Sequence, residues 1–186
     1  MNIPLLLTFL RLSAIPVFMV IYYLPFHFAH PLAAIIFIVA AITDWLDGYL
    51  ARSLKQVTEF GAFLDPVADK LLVGVALILV VGEHYVPYLT IPAAIIICRE
   101  ILISALREWM AEVGKRTSMA VTFFSKVKTV MQMVALVLLI WFAPDTPVWI
   151  LWSGVLLLWV AAVLTLWTMI AYLKVAWPDL TSSRER

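Results

Sequence analysis

The chain has 186 residues and a net charge of +1, and its composition is 65% hydrophobic and only 13% charged. Ordinary soluble domains are roughly 45–50% apolar and about 25% charged, so this composition excludes an ordinary soluble domain. It predicts an integral membrane protein with one domain, residues 1–186. The first 11 residues lack a basic leader, and no small-residue cleavage site follows the first apolar run. We therefore expect no signal peptide.

Turn residues and charges divide the chain into apolar segments. A transmembrane helix needs about 20 mostly apolar residues, and the segment lengths favour helices over the alternating strands of a membrane barrel. Six spans are predicted, at residues 5–24, 32–51, 66–81, 88–106, 121–142 and 148–173. We therefore expect an all-α integral membrane protein, a six-transmembrane-helix bundle with an N-terminal amphipathic segment.

The basic residues predict the orientation of this bundle. All 13 lysines and arginines lie at the two termini or in and beside the loops after spans two and four. The other three loops hold all three histidines and neither lysine nor arginine. The positive-inside rule then places both termini in the cytoplasm. Four basic residues are explained by topology and attraction to anionic lipid heads, namely Lys115, Arg116, Arg184 and Arg186.

Other charged residues enter the cytoplasmic ends of spans three, four and five. Ionisable groups at membrane depth usually face the bundle interior or a water-filled cavity. These residues therefore predict a cytoplasm-facing polar cavity between helices two to five. They are Asp65, Asp69, Lys70, Arg99, Glu100, Arg107, Lys126 and Lys128.

Four aspartates form two pairs at helical spacing. Asp44 and Asp47 are three residues apart, and Asp65 and Asp69 are four apart, so each pair shares one face of its helix. Clustered carboxylates repel one another unless a cation lies between them. Hard oxygen ligands prefer Mg²⁺, Mn²⁺ or Ca²⁺. Two such pairs on facing helices predict a dinuclear metal site.

Single aspartates also have structural explanations. Asp65 precedes Pro66, which is typical of a helix N-cap followed by proline at the first helical position. Asp44 or Asp47 would alternatively form an ion pair with Arg52. Because each explanation covers one carboxylate and not both pairs together, we favour the metal site.

Two glycines and an arginine accompany the carboxylates. Glycine costs about 1 kcal/mol relative to alanine inside a helix, yet Gly48 and Gly61 each lie close to an aspartate pair. Glycine permits close approach of a bulky ligand or a neighbouring helix. Arg52, one turn beyond Gly48, offers a planar set of donors to phosphate oxygens. Metal, glycine and arginine together indicate a pyrophosphate ligand.

The combined pattern D-x2-D-G-x2-A-R-x8-G-x3-D-x3-D resembles the signature of the CDP-alcohol phosphotransferases. The segments NIPLLLTFLR, REILISALREW and SKVKT resemble the bacterial branch that makes phosphatidylglycerol phosphate, although Ser125 stands where we expect glycine. All eight fixed positions of the signature match without a departure. They are Asp44, Asp47, Gly48, Ala51, Arg52, Gly61, Asp65 and Asp69.

The resemblance implies roles for individual residues. Two divalent cations, Mg²⁺ or Mn²⁺, would be held by Asp44, Asp47 and Asp65. Asp69 would be a shared ligand and also the general base. The hydroxyl of glycerol 3-phosphate would attack the β-phosphorus of CDP-diacylglycerol, giving phosphatidylglycerol phosphate and CMP. The CDP-diacylglycerol site would include Asn2, Thr8, Gly48, Arg52, Thr58 and Gly61.

The phosphate of the acceptor needs cations of its own. Glu100 and Arg107 share a helical face of span four with Ser104, and on span five Lys128 shares one with Ser125 and Gln132. We favour Arg107 and Lys128 as acceptor ligands, followed by Lys126 and Arg99. Alternatively, Glu100 and Arg107 form a structural pair and the lysines contact lipid head groups.

Three other functions are alternatives to this enzyme. A cation-coupled transporter with six spans would carry charge near the midplane and have an access route from both sides, whereas the outer halves of these spans are uncharged. A non-catalytic lipid-binding scaffold would not need two carboxylate pairs. A sibling transferase with inositol phosphate, serine or another lipid as acceptor stays open. The resemblance implies a homodimer in the bacterial cytoplasmic (inner) membrane, in contact with phospholipids, and we expect no nucleic-acid partner.

Overall fold

The computed structural model describes residues 3–53, 59–84, 87–112 and 123–182, with side chains for 6–44, 46, 60–61, 63–83, 87–110, 127–174 and 177. These described residues form helices and contain no strand, which confirms the all-α prediction. The helices are α1 (Ile3–Tyr22), α2 (Ala29–Ser53), α3 (Glu59–His84), α4 (Pro87–Glu112), α5 (Phe123–Trp141) and α6 (Val148–Ser182).

Helices α3 and α6 extend furthest beyond their predicted spans. Helix α3 begins at Glu59, so Pro66 lies inside it and not at its first position. The explanation of Asp65 as an N-cap is therefore wrong, because both residues belong to the helix interior. Helix α6 continues to Ser182 and has 35 residues. At 1.5 Å per residue it is about 52 Å long, well beyond a hydrocarbon core of about 30 Å.

Helix α1 packs against α2 and α3 through one regular stripe. Its buried residues recur at alternating intervals of three and four, which places them on a single face of the helix. The inner part of this stripe is apolar and joins the main core, whereas the first two members are polar. The stripe consists of Thr8, Arg11, Ile15, Phe18 and Tyr22.

Helices α5 and α6 form another closely packed pair. A Cβ atom at Gly154 would lie 2.8 Å from Cγ of Leu139, so the glycine permits this close approach. The surrounding core is aliphatic and fully buried at Leu136, Leu139 and Leu158. This packing fixes one face of α5, while its other residues remain available to line the spaces described below.

Large apolar side chains cover much of the outer surface of the bundle. Phe28, Phe63, Trp149 and Trp167 are each at least 66% exposed, which is unusual for a soluble protein. Within the described chain, two segments are long and apolar enough to cross a membrane, Pro87–Met110 and Val148–Lys174. Shorter apolar stretches are Leu6–Tyr22, Ala29–Asp44 and Val127–Trp141. These features are those of a membrane protein.

Polar contacts gather the ends of several helices at one end of the bundle. Glu83 near the end of α3 accepts a hydrogen bond from the Tyr22 hydroxyl and lies 3.4 Å from His30 Nε2. His27 Nδ1 lies 3.2 Å from Asp145, so the turns after α1 and α5 meet at this end. The signature aspartates lie toward the opposite end of α2 and α3.

Candidate functional site

Two of the four signature aspartates contact helix α1. Thr8 Oγ1 donates a hydrogen bond of 2.6 Å to Oδ1 of Asp65 on α3. The guanidinium of Arg11 forms a salt bridge with Oδ1 of Asp44 on α2. The structure thus brings carboxylates from two helices against one face of a third.

Asp69 differs from both of these residues. It makes no hydrogen bond or ion pair with any side chain that the structure describes, although Asp44 and Glu100 repel it and Arg11 and Lys70 attract it. Its side chain lines two neighbouring spaces at once. A carboxylate that has no such partner in the described part of the chain and that borders two open spaces is well placed to act on a ligand.

The first space is a cavity of about 420 Å³ between α3, α4 and α5, which we call the cationic cavity. Basic side chains from three helices line it: Lys70 from α3, Arg99 and Arg107 from α4, and Lys128 from α5. Lys128 is only 3% exposed and therefore does not contact lipid head groups. A group of cations around one cavity is suited to an anionic ligand, and a phosphate is one such ligand.

Glu100 organises these cations. Its Oε1 lies 2.6 Å from Arg99 and 3.0 Å from Lys128, and Arg99 also donates a 3.3 Å hydrogen bond to Thr168 on α6. The alternative in which Glu100 pairs with Arg107 is wrong, because Glu100 has these two other partners. Arg107 lines the same cavity and is exposed.

The second space is a groove of about 650 Å³ between α2 and α5, which we call the apolar groove. Most of the residues that line it are aliphatic or aromatic, and two are carboxylates, Asp44 and Asp69. Three residues line both the groove and the cationic cavity: Asp69, Thr129 and Met133. We call this shared boundary the Asp69 junction.

Several predicted site residues lie outside the described parts of the chain. Asn2 and Thr58 are among them, as are the side chains of Asp47, Arg52 and Lys126. Gly48 lies in α2, and Gly61 is buried near the start of α3. Among the described side chains, no group of three or more potential metal ligands is close enough to hold an ion.

Sequence patterns did not indicate three of the contacts at this site. Arg11 was counted only as a topology signal, yet it is fully buried against Asp44. The contact between Thr8 and Asp65 joins residues 57 positions apart, and Thr168 joins Arg99 across 69 positions. A hint for Arg11 is its place in the same 3–4 spacing as the apolar residues of α1.

Comparison with known proteins decides the family. A family model described as CDP-alcohol phosphatidyltransferase matches residues 1–167. The chain belongs to this family. The match confirms the resemblance of the signature, and it covers α1 to α5 and more than half of α6.

Curated relatives agree with this membership. The chain is 56% identical over 179 residues to a protein of Salmonella typhimurium, with 96% of this chain and 97% of the relative covered. It is 55% identical, with the same coverage, to a protein of Escherichia coli K12. Both relatives are named CDP-diacylglycerol–glycerol-3-phosphate 3-phosphatidyltransferase.

Proposed function

We propose that this protein transfers a phosphatidyl group from CDP-diacylglycerol to sn-glycerol 3-phosphate, giving phosphatidylglycerol phosphate and CMP. The names of relatives that match nearly the whole chain support this activity. The observation that carries the proposal is the Asp69 junction, where a cationic cavity and an apolar groove share one carboxylate. The two substrates need such a meeting point, since one is a small anion and the other a lipid.

The apolar groove is suited to an acyl chain of the lipid substrate. Its lining from α2 and α5 includes Ile38, Ile42, Val134 and Val137. Burial of apolar surface contributes about 0.8 kcal/mol per methylene group, so a few methylenes in the groove would hold the lipid. Because the groove ends at Asp44 and Asp69, the diphosphate of that lipid would lie beside the carboxylates.

The cationic cavity is suited to the phosphate of the acceptor. Arg99 Nε is buried and has no hydrogen-bond partner among the described residues, so the guanidinium retains a donor for a ligand. Lys128 carries three donors, and its only described partner is Glu100. We assign Arg107 and Lys128 as the main ligands of the acceptor phosphate, with Arg99 and Lys126 as further ligands.

Asp69 acts as the general base in this proposal. Its carboxylate takes the proton of the acceptor hydroxyl while the acceptor oxygen forms a bond to the β-phosphorus. The bond between that phosphorus and the bridging oxygen then breaks, and CMP leaves with the bonding electrons. Because Asp69 lines both spaces, it would lie beside the hydroxyl and the lipid diphosphate in this proposal.

The carboxylates of the signature fit divalent cations in their chemistry. Asp44 and Asp65 each use Oδ1 for a donor from α1, and a carboxylate has further lone pairs for an ion. We assign Asp44, Asp47, Asp65 and Asp69 as ligands of two Mg²⁺ or Mn²⁺ ions. When bound, such ions neutralise charge on the diphosphate oxygens.

The nucleotide end of the lipid would lie against the signature on α2 and the start of α3. Here we assign Asn2, Thr8, Gly48, Arg52, Thr58 and Gly61. Gly61 is buried, which is consistent with a close approach that a side chain would obstruct. Thr8 borders the site through its hydrogen bond to Asp65.

We also propose six membrane spans with both termini in the cytoplasm of a bacterium, in its cytoplasmic membrane. The support is the distribution of charge between the two ends of the bundle. The loops at the end with His27 and His30 contain no lysine or arginine. The positive-inside rule puts that end outside the cell. The site then faces the cytoplasm. A homodimer, implied by the resemblance, stays a prediction that mass measurement of the purified protein tests.

The test of the proposed activity is CMP release by purified protein in vesicles that contain CDP-diacylglycerol. Glycerol 3-phosphate, inositol phosphate and serine are supplied separately, with Asp69→Asn protein as the background. We expect CMP and phosphatidylglycerol phosphate in equal amounts, and only with glycerol 3-phosphate. Faster CMP release with another acceptor would assign a sibling transferase, and cation flux without CMP release would indicate a transporter.

A further inference from the structure

Helix α1 presents two donors, one turn apart, to carboxylates on two different helices. Thr8 donates to Asp65 of α3 at 2.6 Å, and Arg11 forms a salt bridge with Asp44 of α2. Because Thr8 and Arg11 are three residues apart, they lie on one face of α1. This face of α1 therefore contacts one aspartate from each of the two pairs.

Both donors are buried. Thr8 is 1% exposed and Arg11 is fully buried. A buried guanidinium is costly unless it is paired, and a charge-assisted hydrogen bond is directional as well as strong. The stripe continues into the core through Ile15 and Phe18, so the face of α1 that packs into the core also carries both donors.

We propose that Thr8 and Arg11 are positioning residues that orient Asp65 and Asp44 and set the spacing of α3 and α2 for divalent-cation binding. The inference rests on the proposed function, in which these aspartates are metal ligands. Neither residue touches the reacting atoms in this arrangement. Partners of metal ligands commonly have this effect, and their loss typically weakens metal affinity by about 10- to 100-fold.

The test is the affinity of the purified protein for Mn²⁺ alone, without substrates, measured from the electron paramagnetic resonance signal of free Mn²⁺. Thr8→Val and Arg11→Met should each weaken Mn²⁺ binding about 10- to 100-fold. Thr8→Ser keeps the hydroxyl and should bind Mn²⁺ as the wild type does. Thr8→Val combined with Asp65→Asn should lose no more affinity than Asp65→Asn alone, because both act through the same contact.

The Arg11 variant separates positioning from simple electrostatics. Removing a positive charge near a cation site should by itself strengthen Mn²⁺ binding, so weaker binding in Arg11→Met requires a loss of geometry. Arg11→Lys keeps the charge but not the planar fork, and we expect intermediate affinity. Tighter Mn²⁺ binding by Arg11→Met would overturn the inference.

Ile15→Ala is the matched control for a merely structural effect. Ile15 lies on the same buried stripe, so its truncation should lower the melting temperature in excess chelator without changing Mn²⁺ affinity. If Ile15→Ala weakens Mn²⁺ binding as much as Thr8→Val, the effect is packing and the inference is wrong. If wild type binds Mn²⁺ and the Thr8 and Arg11 variants bind it equally well, the inference fails while the proposed function stands. A wild type that binds no Mn²⁺ contradicts the metal assignment itself.

Discussion

Helix α3 carries two carboxylates that have opposite surroundings, Glu83 and Asp69. Both oxygens of Glu83 have partners, since Oε2 accepts from Tyr22 and Oε1 lies 3.4 Å from His30. Asp69 has neither a hydrogen bond nor an ion pair among the described residues, and it lines two spaces. One helix thus carries one carboxylate that connects helices and one that is available to a ligand.

The comparison shows that buried polarity does not by itself identify a functional site. Tyr22, His30 and Glu83 form a polar cluster that joins α1, α2 and α3. At the other end of α2 and α3, Asp44 and Asp65 accept hydrogen bonds from α1 whereas Asp69 does not. That end also borders the cationic cavity and the apolar groove. Partners and neighbouring space, and not burial, therefore distinguish the site from the structural cluster.

Removal of divalent cations should give the largest effect. The four signature aspartates need an ion in our account, whereas Glu83 does not. Excess chelator should lower turnover by at least about a thousandfold, since metal charge stabilisation is worth several kcal/mol. Mg²⁺ or Mn²⁺ should restore it, both in wild type and in a Glu83→Gln control. Full turnover in excess chelator would remove the ions from the account.

Loss of a cavity cation should give the next largest effect. Arg107→Ala or Lys128→Ala should raise the KM for glycerol 3-phosphate roughly 10- to 100-fold, the usual worth of a hydrogen bond to a charged group. Binding of CDP-diacylglycerol should change little. Lys174→Ala serves as the control because Lys174 lies on α6 and does not line the cavity. Equal weakening of both substrates would make Arg107 and Lys128 structural residues.

Obstruction of the apolar groove should have a smaller effect on the other substrate. Val134 lines the groove, and Val163 on α6 is similarly exposed but does not line it. Val134→Trp should raise the KM for CDP-diacylglycerol about fourfold, equivalent to lost contact with roughly one methylene group. Val163→Trp should leave this KM unchanged. Steady-state kinetics in mixed micelles compares the two variants, and equal KM values would exclude the groove as the acyl site.

Changes in the polar cluster of Tyr22, His30 and Glu83 should affect turnover least. Tyr22→Phe and Glu83→Gln should leave kcat within about twofold, because these side chains do not reach the reacting groups. Each should lower the free energy of unfolding by about 1–3 kcal/mol, since a hydrogen bond to a charged group is lost. Thermal melts and turnover on the same preparations check both statements. A large loss of kcat with unchanged stability would give this cluster a functional role.

The helices were predictable because each apolar segment is long enough to leave one interpretation. Their ends were less predictable, since α3 begins seven residues before the predicted start at Pro66. Proline removes only one backbone donor and is tolerated inside a helix when neighbouring packing compensates. The extension of α6 to Ser182 was missed because its last turns carry charges that break the apolar run.

Spacing and resemblance pointed to residues that line the two spaces, Asp44, Asp69, Arg99, Arg107 and Lys128, but they did not give the partners of these residues. Helical periodicity places Asp65 and Asp69 on one face, and it says nothing about which distant residue meets them. The pairs of Arg11 with Asp44 and of Glu100 with Lys128 depend on how separate helices pack. Local spacing instead suggested Glu100 with Arg107, because only contacts within one helix follow from sequence periodicity.

The most direct test of the Asp69 junction is the single-turnover rate of prebound CDP-diacylglycerol, measured together with its affinity, in Asp69→Asn and Asp44→Ala. Asp69→Asn keeps the shape and loses the base, so the rate should fall about 10²- to 10⁴-fold. Its affinity for the nucleotide lipid should fall much less than that of Asp44→Ala, which should lose binding along with turnover. If Asp69→Asn loses binding as severely as Asp44→Ala, Asp69 is chiefly a metal ligand and the base lies elsewhere.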